Sequence, residues 1–251
     1  MRLAGKVAVI AGAGRRGIGV ATARRFVEEG AKVVILDRAG RRLIEHLNKI
    51  CPRSSVFIEA DLTCEESLKA AIRQVEVHFH RIDILVSGIG CRPKSERVPP
   101  SDNIVKPFLS AEFIGSQLAI RTAVSSMKCS GSGVIVNFVH KSAGGGGSLL
   151  DRQSSDNFDV SNSTERVSAE LGRVGIRMNS IMVDCRQSLN KANDADSPNS
   201  GNEPDRCKLK KDATRLAVFL ASDGASLCTG GEFHLDGTAS VRKMTASPSH
   251  V

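Results

Sequence analysis

Four glycines, Gly12, Gly14, Gly17 and Gly19, lie between a short apolar run and a segment of helical periodicity. Glycines at such a turn let the backbone bend sharply and approach a pyrophosphate. The helix that follows offers unpaired N–H groups and the positive end of its dipole to the same anion. An acid, Asp37, stands at the end of the next apolar run. A carboxylate there accepts hydrogen bonds from both adenosine ribose hydroxyls and repels a 2′-phosphate, which favours NAD over NADP. Arg15, Arg16 and Arg38 pull the other way, because a guanidinium near the ribose holds such a phosphate. The carboxylate reading is preferred; an ordinary turn that binds nothing is the alternative. Proton-transfer chemistry is harder to place, because the 251 residues include no tyrosine at all.

The elements that must position these residues follow from hydrophobic periodicity. Val7–Ala11 is a continuous apolar run of the kind that suits a parallel strand covered on both faces. Val20, Ala23 and Val27 recur at helical spacing, and Gly30 ends that helix. Strands are expected over Lys32–Leu36, Ser55–Glu59 and Ile82–Val86, with helices over Arg41–Ile50 and Glu65–Phe79. Leu43, Leu47 and Ile50 share one face of the first of these helices; Leu68, Ile72 and Val75 share a face of the second. A long helix falls within 101–128, a strand over Gly133–Val139, a weak helix over 155–172 and a strand over Gly175–Val183. Asp212–Ala221 reads as a helix and Gly231–Leu235 as a last strand. Alternating units of this kind predict one α/β domain over 1–251. It is a Rossmann-like doubly wound parallel sheet with helices on both faces and right-handed crossovers. Gly144–Gly147 and the polar stretch Gln187–Lys211 read as loops, with 184–211 expected as a polar, disordered lid region.

Composition narrows the function classes. An apolar content of 41% is enough to bury a core. No apolar run approaches the ~20 residues a membrane span needs. Met1–Lys6 runs straight into the first strand, leaving no room for a signal peptide. Seven cysteines are scattered with no CxxC and no histidine at zinc-ligand spacing, which points to reduced thiols in a cytoplasmic protein without a metal site. The net charge of +8 would suit nucleic acid, but aromatics are only 4% and neither Tyr nor Trp is there to stack on bases. Arg24 and Arg25 stand one turn from Glu28 and Glu29, so solvated helix faces account for part of the charge.

The chain resembles the short-chain dehydrogenase/reductase family over nearly its whole length. AGAGRRGIG (11–19) is similar to that family's TGxxxGxG opening, with Ala11 for Thr and one extra residue between Gly12 and Gly17. Asp61 in DLT (61–63) matches the adenine-contacting Asp, GIRMNSI (175–181) resembles GIRVNxI, and VFLASDGASLCTGGEFHLDG (218–237) follows the family's ending. The resemblance implies cofactor contacts at Gly12, Arg16, Gly17, Ile18, Gly19, Asp37, Arg38, Asp61, Leu62 and Gly88, with NAD as the cofactor.

It also implies a catalytic set that this chain lacks. In the family a Tyr hydroxyl exchanges the proton at the substrate oxygen, and a Lys four residues later holds the ribose and lowers the Tyr pKa. A Ser polarises the carbonyl and an Asn completes a proton relay. A free phenol has a pKa near ~10, so it needs a neighbouring cation to act near neutrality. Counting on from IVN (135–137) places the Ser at His140 and the Tyr at Gln153. Counting back from AELGRVGIRMN (169–179) returns Gln153 and places the Lys at Asn157. FIGS (113–116) resembles the NxxG turn and puts Glu112 at the Asn; Ser87-Gly88-Ile89-Gly90 replaces NNAG. Gln exchanges no proton and Asn carries no charge.

Three readings follow. The first is a cofactor-binding scaffold without alcohol–ketone hydride transfer. In the second, an oxidoreductase or lyase uses His140 as acid or base, since an unperturbed imidazole titrates near ~6.5. The third is a basic binding or regulatory module. The family commonly dimerises through the helix after the Tyr; here 154–171 has few apolar residues, so a homo-oligomer through that face is not favoured.

Overall fold

The computed structural model describes residues 1–13, 17–88, 111–141, 164–184 and 203–235. Seven strands form one parallel sheet: β1 Val7–Ala11, β2 Lys32–Asp37, β3 Ser55–Glu59, β4 Ile84–Ser87, β5 Gly133–Lys141, β6 Ile176–Asp184 and β7 Glu232–Leu235. Their order is β3-β2-β1-β4-β5-β6-β7, every neighbouring pair parallel. Helices α1 (Ile18–Glu28), α2 (Arg41–Ile50), α3 (Glu65–Phe79), α4 (Ala111–Ser130), α5 (164–172) and α6 (Glu203–Ala221) connect them.

Period-two alternation in the strands builds two separate cores. Ala8 and Ile10 of β1 face the layer of α1, α2 and α6, through Phe26, Leu47, Ala217 and Leu220. Val7, Val9 and Ala11 face the layer of α3, α4 and α5, through Leu68, Val75, Met127 and Leu171. Both faces of the central strands are therefore dry, which is why β1 reads as unbroken apolar sequence rather than as alternation. Among the described residues no helix is long and apolar enough to cross a membrane.

The expected doubly wound α/β architecture is observed. The predicted pairs on α1 form: Arg24 bonds Glu28 at 2.9 Å and Arg25 bonds Glu29 at 2.8 Å. Some boundaries differ. Strand β4 starts at Ile84 rather than Ile82, and β5 and β6 run on to Lys141 and Asp184, because those two strands pair as far as Lys141↔Asp184. Ile50 lies 38% exposed at the end of α2 instead of completing the stripe of Leu43 and Leu47. The largest correction concerns the polar stretch 187–211, expected as loop. Residues 203–211 are the first turns of α6. Leu209, four residues before buried Ala213, carries the apolar stripe of α6 backwards onto the α1-side core, and the charged residues around it are good helix formers. Residues 185–202, the remainder of the expected lid, lie outside the described residues, as does Gly144–Gly147.

Candidate cofactor-binding site

The chain leaves β1 for β2 and β3 on one side, then returns to place β4 on the other side of β1. Where strand order reverses, the two connections diverge and open a crevice at the C-terminal ends of β1 and β4. Ile10 pairs with Val86, so Gly12 and Gly88 stand two residues further along adjacent strands, at the mouth of that crevice. Both have positive φ, 95° and 73°.

Gly12 donates its N–H to the Leu36 carbonyl at 2.9 Å, tying the glycine turn to β2. Gly17, φ 111°, precedes α1, whose first backbone bond is Ala21 N–H to the Gly17 carbonyl at 3.3 Å. The helix has no side-chain cap and no acid in its first turn, and no described atom lies within 4 Å of where a Gly17 side chain would begin. An uncapped helix start beside open space, with no carboxylate to quench its dipole, fits a nucleotide pyrophosphate. Ile18 opens α1 and packs against the core, and Gly19 is buried within the helix. Gly14, Arg15 and Arg16 lie outside the described residues.

Asp37 is the last residue of β2, one position later than the expected strand end, paired with Glu59 of β3. Its carbonyl accepts Ala60 N–H at 3.0 Å and its Oδ1 accepts Ala39 N–H at 3.3 Å. Arg38, the next residue, donates from Nη2 to Asp61 Oδ2 at 2.5 Å. Asp61 Oδ1 accepts the Thr63 hydroxyl at 2.7 Å and the Thr63 N–H at 2.9 Å. These bonds, that from Arg38 foremost and those from Thr63 next, hold the Asp61 carboxyl at a pKa of about 2, so it is ionised throughout the neutral range. Leu62 turns its side chain into the α4-side core, where Gly115 of α4 comes close enough that a methyl there would meet Leu62 at 3.3 Å. A cofactor contact by Leu62 is thus left to its backbone.

Beneath the crevice lies a polar cluster whose importance sequence reasoning missed. Asn137 of β5 pairs with Ser87 of β4. Its Oδ1 accepts the Ser87 hydroxyl at 2.9 Å and the Ser116 hydroxyl from α4 at 2.7 Å, and all three residues are buried. The available signal was a small polar residue set among apolar ones in each of three elements: Ser87 at the end of β4, Asn137 within β5 and Ser116 within α4. Replacing Asn137 by Ala leaves two buried hydroxyls without their acceptor. The expected cost is about 2–3 kcal/mol in guanidinium unfolding at unchanged m-value, against a near-wild-type Ser125→Ala on the exposed side of α4.

The four positions aligned with the family's catalytic set are only partly described. His140 lies in β5, not beyond it, opposite Val183 and three residues past Asn137, hence at the same strand-end edge as Gly12 and Gly88. Glu112 stands in the first turn of α4, one turn before Ser116. Gln153 and Asn157 lie outside the described residues.

At the opposite end of the sheet, a cavity of about 470 Å³ is lined by Lys6, Asp83, Arg177 and Asp223 among others. Arg177 donates to three carbonyls there, Leu220 and Cys228 at 3.1 Å and Ser222 at 3.2 Å. Asn179 bridges the Cys228 carbonyl (2.9 Å) and the Gly231 N–H (3.0 Å). The GIRMN motif is therefore a clasp that fastens α6 and the approach to β7 onto β6.

A parallel sheet with a glycine turn at its switch point and an acid closing β2 defines a Rossmann-like, doubly wound α/β scaffold. A family model described as enoyl-(acyl carrier protein) reductase matches residues 12–239. The chain belongs to the short-chain dehydrogenase/reductase family, an oxidoreductase scaffold. It is 31% identical to momilactone A synthase of Oryza sativa subsp. japonica, across 96% of this chain and 92% of that one. It is also 31% identical to a 3-alpha-(or 20-beta)-hydroxysteroid dehydrogenase of Mycobacterium bovis, across 94% and 90%. Among solved structures, a 3-ketoacyl-(acyl-carrier-protein) reductase from Brucella melitensis complexed with NADH superposes with a TM-score of 0.69 at 27% identity, covering 94% of this chain and 98% of that one. Levodione reductase superposes at 0.74 over 96% and 99%, a likeness of fold at 23% identity.

Proposed function

We propose that this protein binds NAD(H) at the β1–β4 crevice and does not run the alcohol–ketone hydride transfer of its relatives. The observation that carries this reading is the absence of tyrosine from the whole chain, which no shift of register can repair. Gln153 and Asn157 at the Tyr and Lys positions exchange no proton and supply no cation. Losing one proton-transfer group costs ~10²–10⁴ in rate, and groups that act as a unit fail together. The cofactor end is supported by the uncapped start of α1, the open space at Gly17 and the carboxylate closing β2. Bound NAD(H) would supply hydride exchange at its nicotinamide; Gly12, Gly17 and Asp37 would hold its pyrophosphate and ribose. The named activities of the relatives and the NADH complex of one structural neighbour support the cofactor reading. They also make the missing tyrosine the point of departure.

Calorimetric titration with NADH is expected to show saturable binding, and a panel of alcohols and ketones with NAD(H) no turnover above background. Turnover that disappears in His140→Ala would overturn the non-catalytic half of the proposal and make His140 the acid–base group. Absence of heat with NADH under conditions where the protein is folded would overturn the other half.

A further inference from the structure

Two adjacent side chains of opposite preference close β2. Asp37 favours the free ribose hydroxyls of NAD, whereas Arg38 suits the 2′-phosphate of NADP. Sheet order shows where Arg38 is drawn. Strand β2 lies between β1 and β3, the glycine turn follows β1, and Asp61 follows β3. The bridge to Asp61 at 2.5 Å therefore draws the guanidinium toward the end of β3, while the Gly12-to-Leu36 bond holds the glycine turn on the opposite, β1 side of β2. Thr63 fixes the other carboxylate oxygen, and Ser67 accepts the Asp61 N–H at 2.9 Å. Asp61 is thus a pinned anchor rather than a mobile acid.

We propose that Asp61 acts as a specificity-determining residue that withholds Arg38 from the ribose and so makes the site refuse NADP(H). This rests on the cofactor reading above. The Arg38 side chain is 72% exposed, so the pair adds little to folding. Its consequence is positional, because a guanidinium committed to one carboxylate presents fewer donors to a phosphate. At this edge Asp61 and a 2′-phosphate compete for the Arg38 guanidinium. Since NADH and NADPH share the same adenine, any loss of adenine contact on changing Asp61 cancels in the ratio of their dissociation constants.

The test is calorimetry with NADH and NADPH on the full chain, as wild type, Asp61→Asn, Arg38→Ala and the double variant. Asp61→Asn keeps the side chain's shape and the bonds from Thr63; Asp61→Ser is the second variant should the first not fold. Wild type is expected to prefer NADH, and Asp61→Asn to shift the ratio toward NADPH by about tenfold, the worth of one charge-assisted contact. Arg38→Ala alone is expected to keep the NADH preference, and the double variant to restore it. An unchanged ratio in both Asp61 variants overturns the proposal while leaving NAD(H) binding intact. So does a shift that persists in the double variant, or a wild-type preference for NADPH. Wild type that binds neither dinucleotide overturns the cofactor reading itself and this proposal with it.

Discussion

Gly88→Ala is expected to destabilise the protein by about 4 kcal/mol, lowering Tm by roughly 8–16 °C for a chain of this size. Gly88 has φ 73°, a conformation a residue with a side chain adopts at a cost of about 1–3 kcal/mol. A methyl at Gly88 would also lie 1.8 Å from the Phe138 carbonyl oxygen and 2.8 Å from Asn137 Oδ1. Neither can give way cheaply. The carbonyl belongs to β5, and Asn137 Oδ1 is the shared acceptor of the Ser87 and Ser116 hydroxyls. The methyl therefore forces β4 and β5 apart at the floor of the crevice. Gly5 is the internal control, with φ 75° and nothing within 4 Å of its missing side chain. Gly5→Ala carries only the backbone strain, about 1–2 kcal/mol. Differential scanning calorimetry of the two variants separates strain from collision. Equal losses would mean that the close approach at Gly88 relaxes freely.

The second large effect is expected at Arg177. Arg177→Ala removes a charged donor from three carbonyls, of which Ser222 keeps the Ala225 N–H at 3.1 Å and Cys228 keeps the Asn179 amide at 2.9 Å, at an expected cost of about 3 kcal/mol. The adjacent cavity admits water to part of the vacated space, which keeps the loss below the sum of three charge-assisted bonds. Arg177→Lys is expected to fall between the two proteins. An ammonium is a compact point of charge and cannot span carbonyls from residues 220, 222 and 228 as a planar fork does. Chemical denaturation checks the series, and limited proteolysis of the C-terminal third checks the location. A wild-type midpoint for Arg177→Ala would show that water and the remaining donors satisfy all three carbonyls.

Such a clasp ties two segments that lie far apart in the chain. Arg177 and Cys228 are separated by 51 positions in sequence and joined by one hydrogen bond in space. A reading along the chain meets Arg177 as a charge within an apolar strand, and nothing local says that its partners are the carbonyls ending α6. The same holds for Asn137, whose two donors come from 50 and 21 residues away. It holds also for Arg38, whose positive charge argued for a 2′-phosphate until β3 was seen to deliver Asp61 beside it.

Short-range patterns were legible wherever the physics is itself short-range. Unbroken apolar runs announced strands buried on both faces, and glycines between strand and helix announced the turn from β1 into α1. The 3.6-residue stripe of Leu68, Ile72 and Val75 placed α3 to the residue. Leu209 alone was too little to announce the first turns of α6, because one apolar residue sets no period; the core it packs against is assembled from α1 and the sheet. By itself, then, the sequence determined the α/β alternation, the position of the glycine turn after β1 and the absence of a tyrosine. The tertiary structure alone decided which polar groups meet: Ser87, Ser116 and Asn137 under the crevice, Asp61 on Arg38, and Arg177 on the C-terminal carbonyls. Periodicity is carried by neighbours a few residues apart, whereas hydrogen-bond partners are assigned by strand order, and strand order exists only once the sheet has formed.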